Sequence, residues 1–450
     1  MAESGERMKA VIIAAGKGRR INHMTNGKPK PLLEILGLSL IERTILAVKK
    51  CGISEFVIVT GYKGKMIKEK LGNGERYGVN IEYVRNKDWK KENGLSVLAA
   101  EKKVGRRFLL FMSDHVFDPG IVKDLLKTKK KTCLLCVDRN PKEYIDMNDA
   151  TKVRIKNDQI VDIGKSLKEY DAVDCGIFLL TKDIFEAIKT SMRKGDTSLS
   201  GGIKVLARKG KIKIFDIGER FWIDVDTIED YKHAENLLLK SLIKENDGPV
   251  SRYINRKIST RLTKFLVKTR TGPNDISLLS FLLAAVSSLL FIAGNHLYTA
   301  LAGVVAQISS IVDGCDGEIA RLRFENNPQG AFFDASLDRY SDSFIILGMT
   351  YAYWILTGFS LVWIIGFMAL LGTLINSYTA GKYKAEFQKV FGYRISKIKI
   401  GRDVRIFLIM IGSIVNQVLP TLLLIALLTN LENFRRIIVL GLIANGNNKR

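Results

Sequence analysis

The sequence predicts two folds in one chain: an α/β Rossmann-like domain, followed by an all-α polytopic membrane domain with six transmembrane helices. Two observations predict this. Short apolar strands alternate with helical patterns up to about residue 240, and long apolar runs dominate after residue 273. The composition agrees, because 47% hydrophobic residues beside a net charge of +24 is unusual for a single globular body. A basic soluble part joined to an apolar membrane part explains both values.

The domain boundaries follow from where the pattern changes. We expect a soluble domain over 1–240, a linker with an interfacial helix over 241–272, and the membrane domain over 273–450. No apolar leader precedes the first strand, so we expect no cleaved signal peptide. The linker repeats apolar residues at helical spacing among basic ones. This pattern is typical of a helix lying in the membrane interface, with its apolar face down and its basic face toward anionic headgroups. The apolar residues are Ile254, Ile258, Leu262, Phe265 and Leu266, and the basic ones are Arg252, Arg256, Lys257, Arg261, Lys264 and Lys268.

The most informative stretch runs from Asp313 to Asp338. Asp313 and Asp316 share one face of a helix, and Asp334 and Asp338 share a face of the next. An aspartate at the bilayer centre costs about 2.5–3.5 kcal/mol, so four unpaired ones would cost about 10–14 kcal/mol. The carboxylates must therefore face a polar cavity and bind cations. Clustered hard oxygen ligands indicate Mg²⁺, Mn²⁺ or Ca²⁺, and two such ions between helices favour phosphoryl transfer.

This stretch resembles the signature of CDP-alcohol phosphotransferases, D-x-x-D-G-x-x-A-R, eight residues, then G-x-x-x-D-x-x-x-D. The fixed positions are Asp313, Asp316, Gly317, Ala320, Arg321, Gly330, Asp334 and Asp338. The resemblance implies that the four aspartates hold two metal ions, Mg²⁺ or alternatively Mn²⁺, at the pyrophosphate of a CDP-alcohol. It implies that Asp338 deprotonates the acceptor hydroxyl. It also implies substrate contacts from Gly317, Arg321, Gly330 and, before the first membrane helix, Asn274.

The soluble part begins with an apolar strand, 8–15, that runs into the turn Gly16-Lys17-Gly18-Arg19-Arg20. A glycine-rich turn after a strand is suited to cradle phosphate, although a plain tight turn is about as common. The following Lys28-Pro29-Lys30-Pro31-Leu32-Leu33 and Leu40-Ile41-Glu42-Arg43 make the stretch resemble the nucleotidyltransferase pattern of sugar-nucleotide pyrophosphorylases. Arg19 departs from that pattern, which often has Ser or Thr there.

That resemblance implies a site distributed along the soluble domain. Gly16, Gly18, Arg20 and Lys30 would contact the triphosphate, Asn93 and Ser96 the base, Lys165 the acceptor phosphate, Asp174 the acceptor polyol, and Asp114 and Asp226 would bind Mg²⁺. The metal ligand near the second motif is either Asp224 or Asp226. We expect the two on opposite strand faces, so the sequence leaves the choice open, although we favour Asp226.

We predict membrane helices over 276–294, 297–321, 330–356, 358–380, 402–419 and 420–442. The links at 294–297 and 356–359 carry no Lys or Arg, whereas 382–405 is rich in both. The positive-inside rule therefore places the soluble domain, the aspartate motif and both termini in the cytoplasm. Lys382, Arg402 and Arg405 lie nearest helix ends and are either solvated anchors or ligands for an incoming phosphate.

Together the two halves resemble the bifunctional enzymes of heat-loving microbes that join an inositol-1-phosphate cytidylyltransferase to a di-myo-inositol phosphate phosphate synthase. The resemblance implies CTP, inositol 1-phosphate and CDP-inositol as substrates and intermediate, a compatible-solute precursor as product, a lipid bilayer, and a homodimer without nucleic acid. One alternative is a phospholipid-making enzyme whose first domain only regulates. Another is a transporter with the aspartates along an ion path.

Overall fold

A computed structural model of the chain describes residues 8–21, 24–128, 130, 132–244, 247–382 and 400–447. The chain forms two compact units, Met1–Leu238 and Leu239–Arg450. The side chains of Arg19 and of residues 440–447 lie outside what the structure describes. The two units are described separately below.

The first unit contains a nine-stranded sheet in the order β5-β4-β1-β6-β11-β8-β12-β10-β9. The strands of the unit are β1 Lys9–Ala14, β2 Glu34–Ile35, β3 Leu38–Ser39, β4 Glu55–Thr60, β5 Asn80–Arg85, β6 Arg107–Met112, β7 His115–Phe117, β8 Cys133–Asp138, β9 Lys152–Lys156, β10 Gln159–Gly164, β11 Ala172–Thr181, β12 Ile212–Asp216 and β13 Trp222–Asp224. The helices are α1 Leu40–Lys49, α2 Gly64–Leu71, α3 Gly94–Ala99, α4 Pro119–Lys127, α5 Asp183–Met192, α6 Leu199–Arg208 and α7 Ile228–Lys240.

The strands β5, β4, β1 and β6 are parallel neighbours. Their near-continuous apolar sequences, such as Ala10 to Ala14 and Phe108 to Phe111, are buried, as expected for strands covered on both faces. Because parallel strands end at one edge of a sheet, the loops that follow β1, β4, β5 and β6 meet there. The Rossmann-like prediction for this unit is confirmed.

The second unit is helical. A single π-helical turn, Ser251–Asn255, leads into α8 Arg256–Leu266, followed by α9 Pro273–Ile292, α10 His296–Leu322, α11 Pro328–Thr357, α12 Val362–Lys382, α13 Arg402–Ile414 and α14 Val418–Asn447. Asn295 and Asn327 cap α10 and α11, because their side chains accept from the backbone N–H of Tyr298 and Gly330.

Each predicted membrane span coincides with a helix, but three of the described helices are long and apolar enough to cross a membrane: α9, α10 and α12. The α13 helix has 13 residues and so spans only about 20 Å, less than the roughly 30 Å of a hydrocarbon core. It ends at Ile414, before Asn416 with φ +56°, and not at the predicted residue 419. The α11 and α14 helices carry charged residues within their length. Lys384, Lys389, Arg394, Lys397, Lys399, Lys449 and Arg450, on which the predicted orientation partly rests, lie outside the described residues.

The predicted interfacial helix, α8, leaves its apolar face exposed, as a helix in the membrane interface would, but its polar face is packed against protein. Its apolar residues are exposed, with Phe265 at 68% and Ile258 at 43%. Its buried residues are polar: Arg256, Ser259 and Thr263. The prediction that Arg256 faces lipid headgroups is wrong, because its guanidinium is buried and forms ion pairs within the unit. Helical spacing identified the two faces but not which of them packs against protein.

Candidate active sites

Lys30 lies at the centre of an acidic cluster in the first unit. It begins a 3-10 turn, Lys30–Leu32, and is buried. Its Nζ donates to Asp226 Oδ1 at 2.6 Å, Asp114 Oδ2 at 2.8 Å and Asp224 Oδ1 at 3.2 Å. Burial alone would lower the pKa of Lys30, but the three carboxylates raise it well above its usual value. The side chain is therefore a permanent cation.

The strand pair β7–β13 brings these carboxylates together. The strands are antiparallel, with Asp224 opposite His115, and Asp114 directly precedes β7. Side chains two positions apart on a strand point to the same face, and Asp226 lies just beyond β13, which ends at Asp224. Asp224 and Asp226 both contact Lys30, so the prediction that they lie on opposite faces is wrong. Both belong to the cluster.

The same carboxylates could hold a metal ion. One oxygen from each of Asp149, Asp224 and Asp226 lies within 4.8 Å of the others, and Asp114, His115 and Asp224 form a similar group. Burial, followed by the charge of Asp114, raises the pKa of Asp224 to about 6. A divalent cation would favour its ionised form. The hard oxygen ligands fit Mg²⁺ or Mn²⁺.

Asp149 forms ion pairs with both Arg20 and Lys165, which the sequence analysis assigned to different phosphates. Its Oδ2 accepts from Arg20 Nη2 at 2.8 Å and its Oδ1 from Lys165 Nζ at 2.7 Å. Arg20 Nη2 also lies 2.8 Å from Asp226 Oδ2. Although burial raises the pKa of Asp149, the bonds from Lys165 and Arg20 lower it to about 2. No local pattern in the sequence marks Asp149 as a site residue.

A cavity of about 230 Å³ opens beside the acidic cluster. Predicted site residues that line it are Arg20, Asn93, Asp114, Lys165, Asp174 and Asp226. Asn93 Oδ1 also accepts from the backbone N–H of Leu199 at 2.9 Å, which ties its loop to α6. Ser96 is not among the lining residues; it is buried, and its Oγ accepts from Asn86 Nδ2 at 2.9 Å. In the geometry described, Ser96 therefore supports the loop.

Glycine is required at two points around this cavity. Gly18 has φ +60°, and a Cβ there would lie 2.5 Å from Lys30 Cβ. Gly176 has φ +69°, and a Cβ there would lie 2.6 Å from His115 Nε2. The Gly176 N–H donates to Asp174 Oδ1 at 2.7 Å, while burial raises the pKa of Asp174 to about 6. By contrast, nothing lies within 4 Å of a Cβ at Gly16, so the glycine-rich turn is open on that side.

The second unit contains the predicted aspartate cluster. One oxygen from each of Asp313, Asp334 and Asp338 lies within 4.8 Å of the others, across α10 and α11. Serines of α9 support the α10 carboxylates. Ser280 Oγ donates to Asp313 Oδ1 at 3.1 Å, and Ser277 Oγ donates to Asp316 Oδ2 at 2.5 Å. Asp313, Asp334 and Asp338 thus lie together across the two helices, whereas Asp316 is outside this group of three. The oxygen donors fit a divalent cation.

Arg402 reaches into this cluster from α13. Its Nη1 lies 2.7 Å from Asp338 Oδ1 and 2.8 Å from Asp313 Oδ2, and its Nε donates to Asp342 Oδ1 at 3.0 Å. Arg405 lies behind it, buried, and donates to Asp342 Oδ2 at 2.9 Å. Lys382, the third predicted phosphate ligand, is the exposed last residue of α12.

The remaining predicted contacts lie around the two motif glycines. A Cβ added to Gly330 would lie 3.4 Å from Asn274 Oδ1. A Cβ added to Gly317 would lie 3.1 Å from Arg321 Nη1. Arg321 Nη2 donates to Leu242 O at 3.4 Å. Its buried Nε has no hydrogen-bond partner among the described residues. A buried guanidinium with a spare donor is suited to an anionic ligand.

Comparison with known proteins supports the predicted family of each half of the chain. Residues 9–241 match the family model of nucleotidyl transferases, and residues 270–431 match that of CDP-alcohol phosphatidyltransferases. A "Bifunctional IPC transferase and DIPP synthase" from Rubrobacter xylanophilus is 37% identical over 445 residues, which cover 97% of each chain. The chain belongs to the family of bifunctional IPC transferases and DIPP synthases.

Other members of the bifunctional IPC transferase and DIPP synthase family are similarly related. The Aquifex aeolicus protein of that name is 35% identical, over 94% of this chain and 96% of its own. A solved structure, the inositol-1-phosphate CTP transferase from T. maritima, is 26% identical with a TM-score of 0.47, covering 52% of this chain and 98% of that chain. The chain is thus an enzyme with nucleotidyltransferase and CDP-alcohol phosphotransferase domains, and its apolar helices make it a membrane protein.

In this family member, sequence reasoning missed two buried carboxylates of the second unit. Asp342 continues the four-residue spacing of Asp334 and Asp338, so its signal was present. Glu318 occupies a variable position of the motif, and its partners lie on α8, so no spacing rule could find it. Its oxygens accept from Arg256 Nη1 at 2.7 Å, Ser259 Oγ at 2.6 Å and Thr263 Oγ1 at 2.7 Å.

A second contact joins α8 and α10 at the C-terminal end of α8. Arg323, which follows α10, donates to three carbonyls beyond the last turn of α8. They are Val267 O at 3.0 Å, Thr269 O at 2.7 Å and Thr271 O at 2.7 Å. The guanidinium thereby satisfies carbonyls that have no partner inside the helix. Together, Glu318 and Arg323 fix α8 against the helix that carries Asp313 and Asp316.

Proposed function

We propose that the enzyme catalyses two consecutive transfers. The first unit converts CTP and inositol 1-phosphate to CDP-inositol and pyrophosphate. The second unit converts CDP-inositol and a further inositol 1-phosphate to di-myo-inositol phosphate phosphate and CMP, a step of compatible-solute synthesis. The observation that carries the proposal is that each unit has its own carboxylate cluster around a cation, the buried Lys30 in the first and the partly buried Arg402 in the second. The names of the full-length relatives support the substrates.

In the first transfer, an oxygen of the inositol phosphate attacks the α-phosphorus of CTP, and pyrophosphate leaves. Both reactants are anions, so the site must neutralise charge rather than supply a nucleophile. Lys30 and Arg20 are placed to bind the phosphates of CTP, and Lys165 to bind the acceptor phosphate. Asp149 aligns Arg20 and Lys165, which brings the two phosphates toward one another. The Asp174 carboxylate accepts hydrogen bonds from inositol hydroxyls in the cavity.

In the second transfer, a hydroxyl oxygen of the acceptor attacks the β-phosphorus of CDP-inositol, and CMP leaves. Asp338 takes the hydroxyl proton. Its Oδ1 accepts from Arg402, so Oδ2 receives the proton. Arg321, with its spare Nε donor, binds the departing cytidine phosphate.

Divalent metal ions complete both sites. Bound by Asp114, Asp224 and Asp226 in the first unit and by Asp313, Asp316, Asp334 and Asp338 in the second, Mg²⁺ would neutralise the phosphates and stabilise the leaving groups. Mn²⁺ has the same ligand preference. The acidic clusters and the family support a divalent ion.

We further propose that the soluble unit and both sites face the cytoplasm, and that the enzyme forms a homodimer through its membrane unit. The cytoplasmic orientation is supported by the basic segment between α12 and α13 in the sequence. The exposed apolar residues of α8 support contact with a lipid bilayer at the membrane interface.

The test uses full-length protein in detergent with Mg²⁺, CTP and inositol 1-phosphate, and mass spectrometry of the products. Wild type should release pyrophosphate, CMP and di-myo-inositol phosphate phosphate. Asp338→Asn should accumulate CDP-inositol. Asp226→Asn should form none of these three products from CTP. Supplying CDP-inositol should restore CMP and di-myo-inositol phosphate phosphate, because it bypasses the first step.

Two outcomes would contradict the proposal. If lipid acceptors are supplied with CDP-inositol and the only product is one that extracts into organic solvent, the enzyme makes a lipid. Product formation from CDP-inositol without any CTP-dependent release of pyrophosphate would show that the first unit is regulatory. Metal-dependent release of CMP would exclude a transporter.

A further inference from the structure

Two aromatic rings lie beside the glycine-rich turn, outside the cavity described above. Tyr62 follows β4 and Trp89 follows β5, and their ring centroids are 5.5 Å apart with planes inclined at 51°. The backbone N–H of Tyr62 donates to Ala15 O at 3.0 Å. A Cβ at Gly61 would lie 2.4 Å from Trp89 Cβ and 2.7 Å from Ala15 O. The aromatic pair is therefore packed against the end of β1, where the turn begins.

The strand order separates this pair from the acceptor cavity. From one edge the order runs β5, β4, β1, β6, β11. The aromatic rings belong to loops after β5 and β4, and the glycine-rich turn follows β1. Asp114 follows β6, and Asp174 lies in β11. The turn that would bind the phosphates thus lies between the aromatic pair and the cavity. Since the acceptor occupies the cavity, the nucleoside of the bound nucleotide must extend toward β4 and β5.

We propose that Tyr62 and Trp89 form the stacking surface for the cytosine ring of CTP. This inference rests on the proposed first transfer. Both rings are half-exposed, and a base stacked on such rings gains affinity whatever its hydrogen-bonding edge. The pair therefore supplies affinity for the nucleoside, whereas the turn and Lys30 bind the phosphates.

Lysines around the rings fit the same ligand. Lys17 and Lys63 each place Nζ 5.6 Å from the centroid of Tyr62, and Lys90 places Nζ 5.9 Å from that of Trp89. Cation–π contacts at exposed positions are weak, and a stacked base can displace them. Aromatic rings surrounded by ammonium groups match a base that carries a triphosphate.

The experiment compares two ligands on three full-length proteins: wild type, Trp89→Ala and Trp89→Phe. Isothermal titration with Mg²⁺ present measures Kd for CTP and for inorganic tripolyphosphate, which has phosphates but no base. Trp89→Ala should weaken CTP binding by about tenfold or more, since alanine removes the stacking ring, whereas Trp89→Phe should change it by about twofold at most. Tripolyphosphate should bind all three proteins within about twofold, which also shows that the variants are folded.

Unchanged CTP binding in Trp89→Ala would overturn the inference. So would an equal loss of CTP and tripolyphosphate binding, because the aromatic pair would then only support the turn. Wild type that binds tripolyphosphate but not CTP would instead refute the proposed first transfer, whatever the variants do.

Discussion

Both carboxylate clusters surround a cation, Lys30 in the first unit and Arg402 in the second, but the two folds assemble them differently. In the first unit, the three partners of Lys30 lie 84, 194 and 196 residues along the chain from it. In the second, Asp313 and Asp316 follow helical spacing, as do Asp334 and Asp338. A helix fixes a functional face through local spacing, whereas a sheet assembles its site from loops whose proximity depends on strand order.

The clusters also differ in their exposure to water. Asp149 bridges Arg20 and Lys165 with 30% of its side chain exposed, and Asp342 bridges Arg402 and Arg405 with 2% exposed. Water and salt screen the first bridge but not the second. Equivalent substitutions in the two units should therefore have very unequal effects, and the following predictions test this difference.

Asp342→Asn should cause the largest loss of stability. It leaves the buried guanidinium of Arg405 without its carboxylate and removes one of the three carboxylates around Arg402. Removing one partner of a buried ion pair costs about 3–5 kcal/mol. Thermal unfolding of the detergent-solubilised protein, followed by loss of helical circular dichroism, measures the effect. A melting temperature equal to that of wild type would show that the two arginines find other partners.

Lys30→Met should lower CTP-dependent release of pyrophosphate by about 10²–10³-fold, the usual effect of removing one charge-stabilising donor. Release of CMP from supplied CDP-inositol should remain at the wild-type rate, because Lys30 belongs to the other unit. Parallel assays of pyrophosphate and CMP separate the two. Equal loss in both assays would mean that the substitution unfolds the whole chain.

Glu318→Gln should destabilise the second unit by about 2 kcal/mol. The amide oxygen of glutamine cannot accept from Arg256, Ser259 and Thr263 together, and the charge of Arg256 loses one of its two carboxylates. Hydrogen exchange of α8 should rise above that of α9 in the same variant. The control is Glu325→Gln, at a carboxylate with no ion pair within the described residues.

Asp174→Asn should make stability less dependent on pH. Its folded pKa of about 6 lies above the usual value, so its contribution is complete below about pH 4 and is lost as the pH rises through 6. Wild type should therefore lose about 1–2 kcal/mol between pH 4 and pH 7 that the variant retains. Melting temperatures of both proteins across this interval measure it, and parallel curves would contradict the prediction.

Asp149→Asn, the exposed counterpart of Asp342→Asn, should cost less than about 1 kcal/mol of stability. It should instead raise KM for inositol 1-phosphate, because Lys165 loses the carboxylate that aligns it. The comparison fails if the two aspartate substitutions shift the melting temperature equally.

Sequence reasoning succeeded where function follows local spacing. The faces of Asp313, Asp316, Asp334 and Asp338 could be derived from periodicity alone. The six helices of the membrane half could also be placed, although three of the described helices are long and apolar enough to cross a membrane. The surroundings of Lys30 could be anticipated only through family resemblance. Asp149 and Glu318 could not be found, because their partners lie on distant elements.

The error at Arg256 has a different physical origin. A helix in the membrane interface turns its apolar stripe toward lipid, and the apolar stripe of α8 is exposed, but its polar stripe packs against α10 instead of facing the headgroups. That choice depends on Glu318, which is itself buried. A buried carboxylate on one helix therefore determines which stripe of another faces outward.

The double attachment of α8 by Glu318 and Arg323 has a practical consequence for watching the enzyme work. Since α8 is held at both ends to α10, a spin label on the exposed Ile258 would travel with the aspartates while remaining clear of the substrates. Distances from such a label would record displacements of the reacting helix during turnover.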